Sequence, residues 1–227
     1  AVDDECYLNE YPYHEVFLDA YYIDRTEVTA AEYSACVSAG GCAVEATGPY
    51  STYQNAGKES HPINYVNWYQ AETYCEWMGK RLPTEAEWEK AARGTDGRKY
   101  PWGNESPTCD LAVMSGCPGE TQPVCSLSPS GNSPFGLCDM AGNVMEWTAD
   151  WFSHDYYSSA PVSNPTGPES GSFSVFRGGN FLNVGDYYLR VSLRNYQYPS
   201  YYYYDLGFRC ARSADPCDPP CSDGELC

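Results

Sequence analysis

Twelve cysteines, at positions 6, 36, 42, 75, 109, 117, 125, 138, 210, 217, 221 and 227, constrain this chain more than any other feature. They are even in number and spread along the 227 residues without the paired C-x-x-C spacing of a structural zinc site, so disulfides are their expected use. Disulfides persist in oxidising compartments, which places the expected setting in the extracellular space or cell envelope. A start at Ala1-Val2-Asp3-Asp4-Glu5 is what cleavage at a small-residue site leaves, so the sequence reads as a mature secreted or surface chain. Cys36 and Cys42 flank an Ala-Gly-Gly turn and are placed to close a short local bridge.

Charge removes several function classes. Thirty-one acidic residues against 13 basic ones give a net charge of −18. Nucleic acids and anionic membranes both need a cationic surface that displaces counterions, so neither is an expected partner. No apolar run approaches the roughly 18 to 20 residues that cross a bilayer, so no transmembrane segment is expected. The length fits one large domain, with 42% hydrophobic residues to build its core.

Taken in order, residues 15–23 (EVFLDAYYI) have the β-branched and aromatic density of a strand. A helix is expected over 30–38 with Thr29 as its cap, and a second over 69–78, ended by Gly79. The clearest helix follows in RLPTEAEWEKAARG, residues 81–94. There Thr84 and Glu87 form a capping box, and Trp88, Ala91 and Ala92 line one face. Residues 100–139 read as loops that cross-links or an ion must hold. Trp147 and Trp151 stand four apart, as on one face of a helical turn. The domain is expected to span 1–212, and the Pro- and Cys-rich residues 213–227 to form an appendage stapled by its own disulfides.

The segment from Phe176 to Arg212 differs from its surroundings. It holds eight of the 22 tyrosines between FRGGN and LGFRCA, two blocks that read as buried strands with a glycine turn. From Phe176 to Ala211, four arginines oppose two acids in an otherwise acidic chain. Tyr and Arg supply contact area and directional hydrogen bonds, so Tyr187, Tyr188, Arg190, Tyr196, Tyr198, Tyr201, Tyr202, Tyr203 and Tyr204 are expected to form a contact surface. The alternative is half-buried packing with wet hydroxyls.

The blocks YIDRTEVT, HPINYVNW, YCEWMGKRLPTEAEWEKAARG, YPWGN, GLCDMAGNVMEWTADWF, FRGGN and LGFRCAR, in that order, resemble the formylglycine-generating enzyme family, also called the sulfatase-modifying factor domain. The resemblance spans about residues 15–212 and implies an α+β, disulfide-rich fold of C-type-lectin-like topology with much irregular backbone. It implies a bridge between Cys75 and Cys210. The family's enzymes oxidise a sulfatase cysteine with copper held by two cysteines between the blocks matching FRGGN and GFRCA. This chain has no cysteine between Cys138 and Cys210, and Asn183 and Tyr188 occupy the approximate places, so formylglycine generation is not expected. Asn183 thereby joins the expected contact surface. The sulfoxide synthases of the superfamily use iron held by histidines of an added helical domain, whereas this chain has only His14, His61 and His154. A third branch consists of variable ligand-binding proteins. Their glycine pair, Arg-x-x-x-Arg and closing Gly-Phe-Arg resemble Gly178-Gly179, Arg190 to Arg194 and Gly207-Phe208-Arg209.

Calcium is the cofactor the resemblance implies, held by the side chains of Asp139 and Glu146 and the carbonyls of Gly142 and Val144. A second family site would begin at Asp110 and Leu111, where the following GCPGETQ departs from the pattern. The leading expectation is a non-catalytic secreted or surface module that presents its tyrosine-rich face to a protein or glycan ligand. The alternatives are a self-assembling fibre subunit that binds copies of itself and an oxidoreductase of the family with an altered site.

Overall fold

Thr29, Asn67 and Thr84 start the three helices by one device. In each, the side chain accepts the backbone N–H three residues on, and a Glu or Gln at that position bonds back to the cap's own N–H. Such caps are each worth about 1 kcal/mol. They open α1 (Ala30–Ser38), α2 (Trp68–Trp77) and α3 (Glu85–Arg93) in a computed structural model that describes residues 6–44 and 46–215 and the backbone of 225–226. Each helix buries a narrow stripe: Tyr33 and Cys36 from α1, Ala71, Tyr74 and Cys75 from α2, and Trp88, Ala91 and Ala92 from α3. Among the described residues, no helix is long and apolar enough to cross a membrane.

Two small sheets complete an α+β architecture dominated by irregular backbone. One has the order β6-β1-β7, formed by Ala211–Ser213, Tyr21–Asp24 and Glu225–Leu226. The other has the order β4-β3-β2-β5, from Asn195–Gln197, Ser174–Arg177, Met145–Trp151 and Leu206–Gly207. β2 and β3 are antiparallel with Glu146 opposite Arg177, while β5 runs parallel to β2. FRGGN and LGFRCA thus bracket the second sheet. Of the expected strand at 15–23, only its end joins β1; Phe17 makes a lone bridge to Ser163.

The expected helical turn at Trp147 and Trp151 is instead strand β2. Residues four apart share a face in both structures, so that spacing does not discriminate between them. Trp147 is fully buried, with its indole N–H on the Val66 carbonyl, and Trp151 stacks on Trp68 at 6.0 Å.

Among the described residues, four disulfides hold the irregular segments: Cys36–Cys42, Cys75–Cys210, Cys109–Cys117 and Cys125–Cys138. The Cys75–Cys210 bridge joins α2 to the approach of β6 across 135 residues. Cross-linking a loop of that length limits the unfolded chain by about 4 to 5 kcal/mol in the loop-entropy account. The expected stapling of the tail by its own cysteines lies at residues 216–224 and 227, outside the described residues.

The arginines of the 176–211 segment are core residues. Arg177 bonds Glu85 and Glu89, Arg190 grips Glu10 with two contacts of 2.9 Å, Arg194 grips Glu85, and Arg209 grips Glu146 with two of 2.7 Å. All four are buried, so the segment's near-neutral charge reflects internal ion pairs and not a cationic surface. Arg190 therefore leaves the expected contact set. Its guanidinium is spent on Glu10 and on the Tyr187 ring, 4.4 Å away.

Candidate binding face and cation site

Gly178 and Gly179, both with positive φ, turn the chain out of β3. A Cβ on Gly179 would stand 2.6 Å from the Tyr188 carbonyl, so the loop folds back only because that residue is glycine. Asn180 and Asn183 then tie the loop together: Asn183 Oδ1 accepts the Asn180 N–H at 2.8 Å, and Asn180 Oδ1 accepts the Leu182 N–H at 2.8 Å. Asn183 therefore spends its side-chain oxygen inside the loop.

Seven of the expected tyrosines fall into three ring clusters. Tyr187, half-buried, meets Tyr7 at 4.9 Å and the exposed Tyr188 at 5.5 Å. Tyr196 and Tyr198, both exposed, lie on Phe152 at 3.8 Å and Phe173 at 4.6 Å. Tyr201, exposed, stacks on Tyr203 at 5.1 Å, and Tyr203 leads to Tyr204 at 5.6 Å. Tyr202 is half-buried and lines an open cavity of about 560 Å³ with Tyr69, Gln70, Thr73 and Ser200.

Sequence reasoning missed the other half of the third cluster. Tyr204 faces Tyr50 at 5.5 Å, Tyr65 at 6.4 Å and Phe181 at 6.4 Å. Next to it in the chain is Asp205, whose Oδ2 accepts the Asn180 side-chain amide at 2.8 Å and whose Oδ1 is buried without a partner. Burial raises its carboxyl to about 6. No local signal assembles this group, because its members come from residues 50, 65, 180–181 and 204–205.

The calcium ligands implied by the resemblance fall in a buried acid cluster. Asp139 Oδ2 accepts the Cys125 N–H at 2.7 Å, and burial raises its pKa. Glu146 gives both oxygens to Arg209 and also accepts the Trp88 indole N–H at 2.8 Å. Gly142 is glycine by necessity, since its φ is +92° and a Cβ would come 2.5 Å from the Val113 carbonyl. The cluster also contains Glu27, which lies in the YIDRTEVT block and carries no local signal of a ligand. It is fully buried, no N–H donor reaches either carboxyl oxygen, and its carboxyl lies beside that of Asp139. Burial and then the charges of Asp139 and Glu146 push its pKa well up.

Three carboxyl groups face one guanidinium, and burial favours the protonated form of Glu27 and Asp139, as expected of acids that lack a counter-cation. By charge and by hard-oxygen donors, the residues fit a calcium ion. Among the described residues, no three His, Cys, Asp or Glu side chains converge as a metal site, so backbone carbonyls must complete any such shell. At the second implied position Asp110 is exposed in a turn, and the Leu111 carbonyl abuts Gly131, where a Cβ would come within 2.3 Å.

The fold and these blocks define a sulfatase-modifying-factor-like domain. Residues 2–214 match the sulfatase-modifying factor enzyme 1-like domain, and the chain belongs to that family. It is 35% identical over 261 residues to a formylglycine-generating enzyme of Streptomyces coelicolor, covering 91% of this chain and 82% of that one. Its fold is similar to that of PvdO from Pseudomonas aeruginosa, with a TM-score of 0.80 and 28% identity, covering 94% of this chain and 89% of that one. It is also similar to Treponema denticola variable protein 1, with a TM-score of 0.73 and 28% identity over 88% of this chain and 87% of that one.

Proposed function

We propose that this chain is a non-catalytic binding module of the family, secreted or displayed at a surface, that presents the tyrosine face of residues 181–204 to a protein or glycan ligand. The observation that carries the proposal is the pair Asn183 and Tyr188, which stand in the approximate places of the copper cysteines. No cysteine lies between Cys138 and Cys210, and the Asn183 oxygen is already engaged by Asn180. Neither residue offers the soft thiolate a cuprous ion needs. The four disulfides agree with an oxidising setting. Residues 1–212 and the end of β6 at Ser213 form the working domain, and the residues beyond are its appendage, whose β7 adds to the sheet edge at β1.

In this reading calcium is structural. Asp139, Glu146 and the carbonyls of Gly142 and Val144 would hold it, with Glu27 facing it, and it would neutralise buried charge. The pair Asp110 and Leu111 is left out, because Asp110 faces solvent.

Selection from a randomised peptide display library and a glycan array tests the binding role. Ligands recovered on the native protein should bind Tyr198→Ala or Tyr201→Ala at least tenfold more weakly, with unchanged melting. Recovery of no ligand, or recovery with equal binding to both variants, would refute the proposal. A polymer that grows with protein concentration would instead favour self-assembly.

A further inference from the structure

Asp205 is 5% exposed, and one of its oxygens is satisfied by Asn180 while the other meets no donor. A buried carboxylate with open lone pairs is costly unless something completes it. The rings next to it in the fold pack on one another: Tyr50 meets Phe181 at 5.8 Å and Tyr204 at 5.5 Å, and Tyr204 meets Tyr65 at 6.4 Å. Aromatic faces attract a cation within about 6 Å of a ring centroid, most strongly away from water. Among the described residues, no guanidinium or ammonium lies over Tyr50, Tyr65 or Tyr204, and no basic side chain pairs with Asp205.

We infer that Asp205 and the rings of Tyr50, Tyr65 and Tyr204 receive one arginine or lysine side chain of a partner protein. The inference rests on the binding role proposed above and names the chemistry that the third ring cluster takes.

The group is held in place before any ligand arrives. The Asn64 amide donates to the carbonyls of both Tyr50 and Tyr204, at 2.8 and 2.6 Å, and so fixes two ring-bearing segments against each other. The Tyr65 N–H donates to the Tyr203 carbonyl at 2.9 Å. The Tyr65 ring rests on Gly48, where a Cβ would come 2.2 Å from the tyrosine hydroxyl. Preorganisation of this kind lowers the entropy cost of binding. Tyr50 is 44% exposed, whereas Tyr65 and Tyr204 are half-buried, so Tyr50 is the ring of the group that a partner reaches first.

Charge selects the occupant. A body of net charge −18 attracts cations over a distance, and the unpaired oxygen accepts an N–H at close range. A second copy of this chain is a poor source of that cation. Four of its arginines are buried, and five further basic residues are paired with acids of their own chain.

The test uses the whole protein and a randomised peptide display library. Peptides recovered on the native protein should contain an arginine or lysine whose replacement by citrulline or norleucine weakens binding at least tenfold. Asp205→Asn should weaken the same peptides at least tenfold while its melting temperature stays the same or rises. That variant removes one charge from a large excess, so diffuse attraction to the acidic body would survive it. Equal affinity of Asp205→Asn and native protein would overturn the inference, as would equal affinity of the citrulline peptide. Methylguanidinium alone should bind at least tenfold more weakly than the arginine peptide; equal binding would make the ligand a free small cation and overturn the protein source. If recovered ligands depend on Tyr198 or Tyr201 but not on Asp205, the inference fails and the binding face stands.

Discussion

Asn180, just past the glycine turn after β3, donates its side-chain amide to Asp205, just before β5, at 2.8 Å and thereby joins the two ends of the tyrosine segment. This contact leaves the carboxylate half satisfied. Its pKa of about 6 in the fold exceeds the usual aspartate value, so the folded state holds the proton more tightly than the unfolded one. The favourable contribution of the neutral acid is complete below about pH 4 and is lost as pH rises through about 6. Asp205→Asn keeps an acceptor for Asn180 and does not titrate. Its stability relative to native protein should therefore improve between pH 4 and 8, by roughly 1 to 3 kcal/mol. Denaturant unfolding at the two pH values measures this, and an unchanged difference would contradict it.

Calcium should raise the melting temperature of the native protein, and a chelator should lower it, because binding to the folded state alone stabilises it. Asp139→Asn and Glu27→Gln should each abolish the shift. Glu146→Gln should melt lower with or without the ion, since it weakens the buried bidentate pairing with Arg209. A native protein indifferent to chelation would remove calcium from the account.

Arg190 carries a different expectation from the tyrosines around it. Arg190→Ala strands the buried Glu10 carboxylate and should cost about 3 to 5 kcal/mol in stability. A fully stable Arg190→Ala protein with impaired ligand binding would return Arg190 to the contact surface.

The helices were legible in the sequence because their signals are local. Thr84 and Glu87 lie three residues apart, and the cap and the apolar stripe agree about where α3 begins. The buried arginines were not, because their partners Glu10, Glu85, Glu89 and Glu146 lie 63 to 180 residues away, beyond any local charge count. Trp147 and Trp151 were assigned to the wrong element because their spacing suits helix and strand alike. At the candidate site, the loop Asp139 to Glu146 was visible as a block, but Glu27 was not: its role arises only when the turn before α1 is buried against that loop. Tyr201 and Tyr198 were visible as candidates, whereas Tyr50 and Tyr65 join the face through contacts that span more than 130 residues.

The central claim is that this chain keeps the family's frame without its oxidising centre. Incubation of the purified native protein with a cuprous salt, oxygen and a sulfatase-derived cysteine peptide, followed by mass spectrometry, tests it most directly. The account predicts that the peptide cysteine remains unconverted and that no tight cuprous site forms between Cys138 and Cys210. Formation of the formylglycine aldehyde at more than the rate without protein would contradict it.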